Sequence, residues 1–541
     1  MTTPRFYAAG APLTAATART LYAFGLAAVV LGAALSVPFR DLWEPDEARL
    51  ALVTSGMVES GSWVVPRLGG EVYTQKPPLY MWGVAILRLV GLPWNYAAVL
   101  PSSFALLALL FVVPRLARTI GLGADVGFLG GAMLAAMPLV TAMGLGARMD
   151  IPLALVFTAA LLPLARLLGL GEPARRGDHV LLWLLIGIGI LTKGPVALAM
   201  PATVALTAWL LIRPRPRLRP LVAGWGPLLA LAVVLAWLLP AALEVGGEYL
   251  RELVLTQTAG RIVASFAHRQ AVYYHFVTFP ATALPWSAVA IIAVVRTLRR
   301  RATGAEAFLA AVVAGLLMQF SLYSGKLVIY LLPAFPAVAL LAASVLQREP
   351  RPYRWGLVVG GLGLALGGAI VLYRTLQGTW LLERLPVTAL VAGGLCLAGL
   401  LAAALAARRR AVAGPAPLLL TGLLVAAVVL PAAAVALDSS LSARPVAWAL
   451  AQLEPHAQPF VAYGTKPYGA SLLLGRPMQE ADAPADVVDA LAAGRCAVLS
   501  RRHWEAIASR PDVERLVPVF EAVRLRNRIL NVVCPRESAQ R

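Results

Sequence analysis

Cysteine, histidine and acid are all scarce in this chain. Three cysteines and five histidines in 541 residues exclude a disulfide-framed scaffold and a thiolate metal site. Cys396 lies within an apolar run, while Cys496 and Cys534 fall in the C-terminal tail. Those two can pair if the tail is exported, or stand as separate buried thiols. Charged residues make up only 14% of the chain against 59% hydrophobic ones, far too much apolar surface for a soluble fold of this length. A glycine-rich nucleotide loop and an aspartate-rich nucleotide-sugar motif are also missing, which argues against a soluble nucleotide-sugar donor. There is no internal repeat and no small-residue cleavage site after the first apolar run, so that run reads as a retained helix with the N-terminus in the cytoplasm.

What is present is a polytopic membrane protein. Apolar runs long enough to span a core of about 30 Å lie near residues 21–38, 97–114, 125–143, 150–169, 180–192, 196–212, 221–243, 276–295, 306–323, 327–346, 355–373, 386–407 and 416–437. The shorter run 79–91 carries Arg88 and is ambiguous by length. If it lies at the interface, the arginine clusters near 115, 175, 213–219, 296–301, 348–354 and 408–410 all share one side, the cytoplasm. That count gives about thirteen spans with the C-terminus outside. The net charge of +20 is then topogenic and does not call for nucleic acid. From residue 438 onward the composition becomes ordinary, with short β-like runs at 459–463 and 496–499. The expected architecture is an all-α membrane domain over 1–437, with interfacial helices in its first external loop, and a small external α/β domain over 438–541.

The same topology gathers an unusual set of polar residues on the outer face. Pro45 followed by Asp46 and Glu47, then Leu50, Val53, Met57 and Val58, reads as an amphipathic helix along the interface. Both acids can simply complement the helix N-terminus. A carboxylate held beside cations can equally act as a general base or as an electrostatic partner for a sugar carrying developing positive charge. Lys76 before Pro77-Pro78 is presented from a stiff turn and suits a phosphate; alternatively it snorkels at a headgroup. Asp150 opens a span and can be a helix cap or a second functional acid. Lys193 and Lys326 break apolar stretches on the same side, against the charge bias expected there. The loop before residue 275 offers Arg261, His268, Arg269, Tyr273 and Tyr274, groups suited to pyrophosphate or sugar contacts. His268 is the candidate metal ligand, although a lone histidine is more often structural. A transporter or flippase is the main competing class, and it would ordinarily show repeats and broken helices near the midplane.

These residues resemble a known family. Pro45-Asp46-Glu47-Ala48-Arg49, Trp63-Val64-Val65-Pro66-Arg67, Tyr73 with Lys76-Pro77-Pro78, Asp150, Leu191-Thr192-Lys193-Gly194-Pro195 and Ser324-Gly325-Lys326 with Tyr330 are similar to the GT-C membrane glycosyltransferases of the protein mannosyltransferase type, most of all the bacterial lipid A aminoarabinose transferases. The resemblance implies a GT-C fold in the bacterial inner membrane, with the active site and C-terminus periplasmic. It implies an undecaprenyl-phosphate sugar as donor, and lipid A, another glycan or a protein as acceptor, with the membrane lipids as the remaining partners. Asp46 and Asp150 would be the catalytic acids and Lys76 the donor-phosphate contact. Glu47, Arg49, Tyr73, Lys193, Arg261, Lys326 and Tyr330 would bind substrate. Family members carry glutamate before the lysine where Gln75 stands here, and an amide is a poor metal ligand. No cofactor is required by the sequence, and a divalent metal held in part by His268 stays open. Related enzymes move mannose, galacturonic acid or a hexosamine to protein, lipopolysaccharide core or cell-wall glycan, and the sugar is not decided at this stage.

Overall fold

The computed structural model describes residues 13–247, 251, 268–300, 303–376, 386–407, 415–454, 458–516, 519–525 and 528–535. Each of the thirteen apolar runs is largely helical, with breaks inside some of them, as at 136–137, 223–225 and 283–286. Among the described residues eight helices are long and apolar enough to cross a membrane, which makes the chain a multi-pass membrane protein. The count rises to nine if α5 (Ala124–Ala135) and α6 (Pro138–Gly144), bent by 70°, form one broken span. Pro138 sits at the first position of α6, where its missing N–H costs nothing in the new helix but ends the old one. The ambiguous run is an 11-residue helix, α3 (Leu79–Leu89), shorter than a normal span.

Small residues set the closest helix contacts. Along Pro350–Leu376 and Pro386–Ala407, a Cβ on Gly368 would stand 2.7 Å from the Ala392 carbonyl oxygen, and one on Gly361 would stand 2.8 Å from that of Gly399. Without water to drive helices together in lipid, such backbone proximity supplies the packing attraction.

Four helices and the loops between them position the polar site. After α1 (Ala15–Ser36), the chain crosses a short loop into α2 (Asp46–Ser60). The expected apolar face is largely realised, since Leu50, Val53 and Met57 are buried while Val58 is only partly so. α4 (Trp94–Thr119) and α7 (Asp150–Leu167) pack side by side, and α8 (Asp178–Lys193) returns along α7. Lys193 at the end of α8 therefore comes back to Asp150 at the start of α7. The opposite ends of these two helices are tied by Arg166, which reaches both Asp178 and Glu172.

The C-terminal part holds a five-stranded mixed sheet built from β3 (Phe460–Tyr463), β4 (Met478–Ala481), β5 (Ala497–Ser500), β6 (Val519–Leu525) and β7 (Arg528–Cys534), numbered after the two-stranded ribbon β1 (Arg67–Leu68) and β2 (Glu71–Val72). The order is β4-β3-β5-β7-β6, with β4, β3 and β5 parallel and β7 antiparallel to both neighbours. Cys496 and Cys534 form a disulfide across adjacent strands. The apolar residues beneath this sheet, such as Phe460, Val498 and Val532, belong to the same buried cluster as Ala48, Met57 and Tyr80 of α2 and α3. The first loop is thus sandwiched between the membrane helices and the sheet.

Candidate functional site

The loop that leads into α2 is held from both directions. On the C-terminal side, Asp41 accepts from the Ser442 hydroxyl at 2.7 Å and from Arg444 at 2.6 Å, and its own N–H donates to Asp438 at 2.8 Å. The indole N–H of Trp43 also donates to Asp438, at 3.3 Å. Glu44 is buried, accepts the backbone N–H of Gly469, and donates its own N–H to Leu441 O at 3.0 Å. On the membrane side, Glu47 is held by Arg40 in a two-pronged pair, with 2.7 and 3.2 Å contacts. Glu47 also accepts the N–H groups of Trp43 (3.0 Å) and Ala147 (2.9 Å). Gly146 is required by this approach, because a Cβ there would lie 2.8 Å from the Glu47 carboxylate.

Asp46, next in line, turns the other way. Its carboxylate accepts from Arg148 at 2.7 Å and from Arg49 at 3.0 Å and remains 44% exposed. Burial pushes its carboxyl up, but Arg148, by charge and hydrogen bond, together with Arg49 and Lys76, outweighs burial and holds it below the usual carboxylate range. Asp46 is therefore ionised at neutral pH. Arg148 is itself placed by α4: the Ser102 hydroxyl accepts its N–H at 3.0 Å and donates to its carbonyl at 2.7 Å. Glu47, Asp46 and Asp150 all add negative potential at this guanidinium.

Asp150 does not cap its own helix; its carboxylate pairs with Lys193. The Lys193 ammonium also stands 4.9 Å from the centre of the Tyr330 ring, within cation–π range. Asp46, Arg49, Lys76, Arg148, Asp150, Lys193 and Tyr330 thus form one polar cluster at a single end of the bundle. Two acids stand among four cations, a surplus of positive charge suited to a phosphate diester.

Other sequence expectations land elsewhere. Glu47 is 2% exposed and fully engaged by Arg40 and backbone, so it braces the loop and has no carboxylate to offer a ligand. Tyr73 is buried in the core beneath the sheet. Lys326 is 2% exposed and donates to the carbonyls of Gln270, at 2.8 Å, and Tyr323. It ties the loop before residue 275 to the one after 322, and burial lowers its pKa. His268 is an exposed turn residue with φ 56°, and its carbonyl accepts the Lys326 N–H. Among the described residues no three His, Cys, Asp or Glu side chains come together as a metal donor set. Arg261 lies outside the described residues. Two residues of the cluster's framework were missed from sequence: Arg40 and Ser102. Arg148, two residues before Asp150, is given no role by the sequence reading, although an arginine on a lysine-bearing outer face is a signal of the same kind as Lys193.

Residues 75–242 match the family model described as dolichyl-phosphate-mannose-protein mannosyltransferase. Lys76, Asp150 and Lys193 fall within that stretch, and Asp46 precedes it. The chain is 29% identical over 342 residues to undecaprenyl phosphate-alpha-4-amino-4-deoxy-L-arabinose arabinosyl transferase 2 of Sodalis glossinidius, covering 62% of this chain and 60% of that protein. It is 31% identical over 329 residues to the transferase 1 of the same organism, covering 59% and 58%. The aligned stretch therefore spans about three fifths of the length of these curated relatives. Over nearly its whole length the chain is similar to the crystal structure of ArnT from Cupriavidus metallidurans in the apo state, with a TM-score of 0.76 at 22% identity and coverage of 96% and 98%. The same protein bound to undecaprenyl phosphate gives 0.75 at 22%, with 94% and 97% covered. The chain is a multi-pass membrane protein with the GT-C glycosyltransferase fold, and over residues 75–242 it carries the sequence pattern of the mannosyltransferase family.

Proposed function

We propose that the chain is a glycosyltransferase of the bacterial inner membrane that takes a sugar from a polyprenyl-phosphate donor on the periplasmic face. The reading extends to 4-amino-4-deoxy-L-arabinose as the sugar, undecaprenyl phosphate as its carrier and a lipid A phosphate as the acceptor. One observation carries it: an ionised, half-exposed Asp46 held between Arg148 and Arg49, with Lys76 in electrostatic contact, in a fold shared with an undecaprenyl phosphate-binding protein. The division of the chain into a membrane part, 1–437, and an exported part, 438–541, belongs to the same reading, and the disulfide between Cys496 and Cys534 supports an oxidising location for the second.

The chemistry follows from charge. As the glycosidic bond breaks, the departing lipid phosphate gains negative charge, and Lys76 with Arg148 and Lys193 supplies a fixed positive field that needs no reorganisation. The anomeric carbon becomes positive at the same time. A carboxylate whose pKa is depressed is a weak proton acceptor but a good electrostatic partner, so Asp46 stabilises that carbon. An acceptor phosphate fits this assignment, because it arrives already ionised and needs no base. Asp150 neutralises and aims Lys193.

Transfer by the purified, detergent-solubilised chain tests the reading. With the aminoarabinose-charged undecaprenyl phosphate and lipid A, product is expected from the wild type and none from Asp46→Asn. Failure with this donor but turnover with a mannose-charged polyprenyl phosphate and a peptide acceptor would move the assignment to the second activity, which the family model's match favours.

A further inference from the structure

A cleft of 660 Å3 opens between the first loop and the C-terminal sheet, lined by Glu44, Pro45, Lys466, Glu480, Arg528 and Leu530 among others. Its volume is in the range of small-molecule sites and suits a disaccharide. Its charges are not equivalent. Glu44 is engaged by the Gly469 N–H, while Lys466 and Glu480 pair with each other, and Glu480 also accepts the Tyr468 hydroxyl at 3.1 Å. Arg528, at the start of β7, is exposed and makes no ion pair among the described residues. A guanidinium beside an apolar wall matches a sugar bearing an anionic group, which it binds in a two-pronged fashion, while Glu44 and Glu480 are held by donors of the protein itself. Pro45 lines this cleft and immediately precedes Asp46 at the start of α2, so the cleft reaches the segment that carries the proposed catalytic carboxylate.

We propose that this cleft is the acceptor subsite and receives the anionic sugar headgroup of the acceptor, with Arg528 as the residue that selects the anion. The proposal rests on the reading that the chain transfers a sugar, and adds where the acceptor docks. The C-terminal sheet then forms half of the binding site, with the membrane helices supplying the donor half.

Two measurements on the full chain in nanodiscs test it: calorimetric binding of a phosphorylated glucosamine disaccharide lacking acyl chains, and steady-state transfer. The unphosphorylated disaccharide is expected to bind at least about tenfold more weakly than the phosphorylated one, and equal binding of the two would overturn the anion selection. Arg528→Glu is expected to weaken binding of the phosphorylated probe at least about tenfold and to raise the acceptor KM by a similar factor, with the donor KM unchanged; Arg528→Lys recovers part of both. Arg528 is on the surface, so these variants keep the fold. Wild-type binding and acceptor KM in Arg528→Glu overturn the subsite and leave the transferase reading intact. Arg528-dependent binding without any transfer by the wild type leaves the subsite as an anionic-sugar site and removes the transferase reading. No binding of the probe to the wild type overturns the subsite.

Discussion

Removing the Glu47 carboxylate separates a bracing role from a ligand-binding one. Glu47 and Arg40 are 3% and 2% exposed at their side chains, so Glu47→Ala strands a guanidinium in a dry interior. Breaking one half of such a pair costs about 3–5 kcal/mol. The Trp43 and Ala147 N–H groups lose their acceptor as well, at about 1–3 kcal/mol for each that water does not reach. These contributions overlap, and about 4–6 kcal/mol is a fair combined loss. At about 1 °C per kcal/mol for a chain of 541 residues, the thermal midpoint of the detergent-solubilised chain should fall by roughly 4–5 °C. Glu47→Gln keeps the shape and one acceptor and should lose less. The double change Arg40→Met with Glu47→Leu should recover much of the loss, since replacing a buried pair by apolar groups is often nearly neutral. The Glu47 carboxyl is held below its ordinary pKa by Arg40 against the opposing effect of burial. Its contribution to stability is thus present above the unfolded-state pKa and lost as pH falls through the folded value. Scanning fluorimetry of the four proteins reads this directly. A Glu47→Ala protein with the wild-type midpoint and only a raised substrate KM would refute the bracing role and restore Glu47 to the binding site.

Other outcomes follow from the same geometry. Because Arg148, Arg49 and Lys76 together keep Asp46 ionised below the usual carboxylate range, transfer should persist as pH falls through that range, and Arg148→Gln should shift the acid limb of the pH–rate profile upward; a limb that stays put would remove Asp46 as the titrating group. Asp150→Asn and Lys193→Met should each impair transfer, while the double variant loses less than the sum of the two, because each single change leaves a buried charge unpaired; strict additivity would contradict the pairing. The 38-residue loop closed by Cys496 and Cys534 should make the double serine variant about 2–4 kcal/mol less stable, and in cells the two thiols should resist alkylation until reduced. Lys326→Met should destabilise the loop joined to Gln270 and Tyr323 without changing the donor KM, measured by proteolysis and kinetics together.

How much of this was legible in the sequence depends on the range of the interaction. The helices were legible, since a run such as 306–323 has one reading in water or lipid, and the β-like runs at 459–463 and 496–499 became strands β3 and β5. The lysines at 76 and 193 stood out because they oppose the charge bias of an outer face, and the structure does bring them into one cluster with Asp46 and Asp150. The direction of a side chain was not legible. Asp46 and Glu47 are neighbours of like charge, yet about 100° of helical rotation sends one to Arg148 and the other to Arg40. Lys326 carried the same signal as Lys193 but is consumed by two carbonyls. Long-range partners leave no periodic trace: nothing near Glu44 announces Gly469, more than 400 residues away. The cleft at Arg528 likewise joins segments far apart in sequence and was equally hidden.

Transfer of a lipid-linked sugar by this cluster is tested most directly in living cells. The chain is expressed in a polymyxin-sensitive Gram-negative strain that makes the aminoarabinose donor lipid but lacks its own transferase, and lipid A is examined by mass spectrometry. A pentosamine mass shift with the wild-type chain, absent with an inserted Asp46→Asn chain, is the expected result. Unmodified lipid A from cells holding both the donor lipid and the inserted wild-type protein would contradict it.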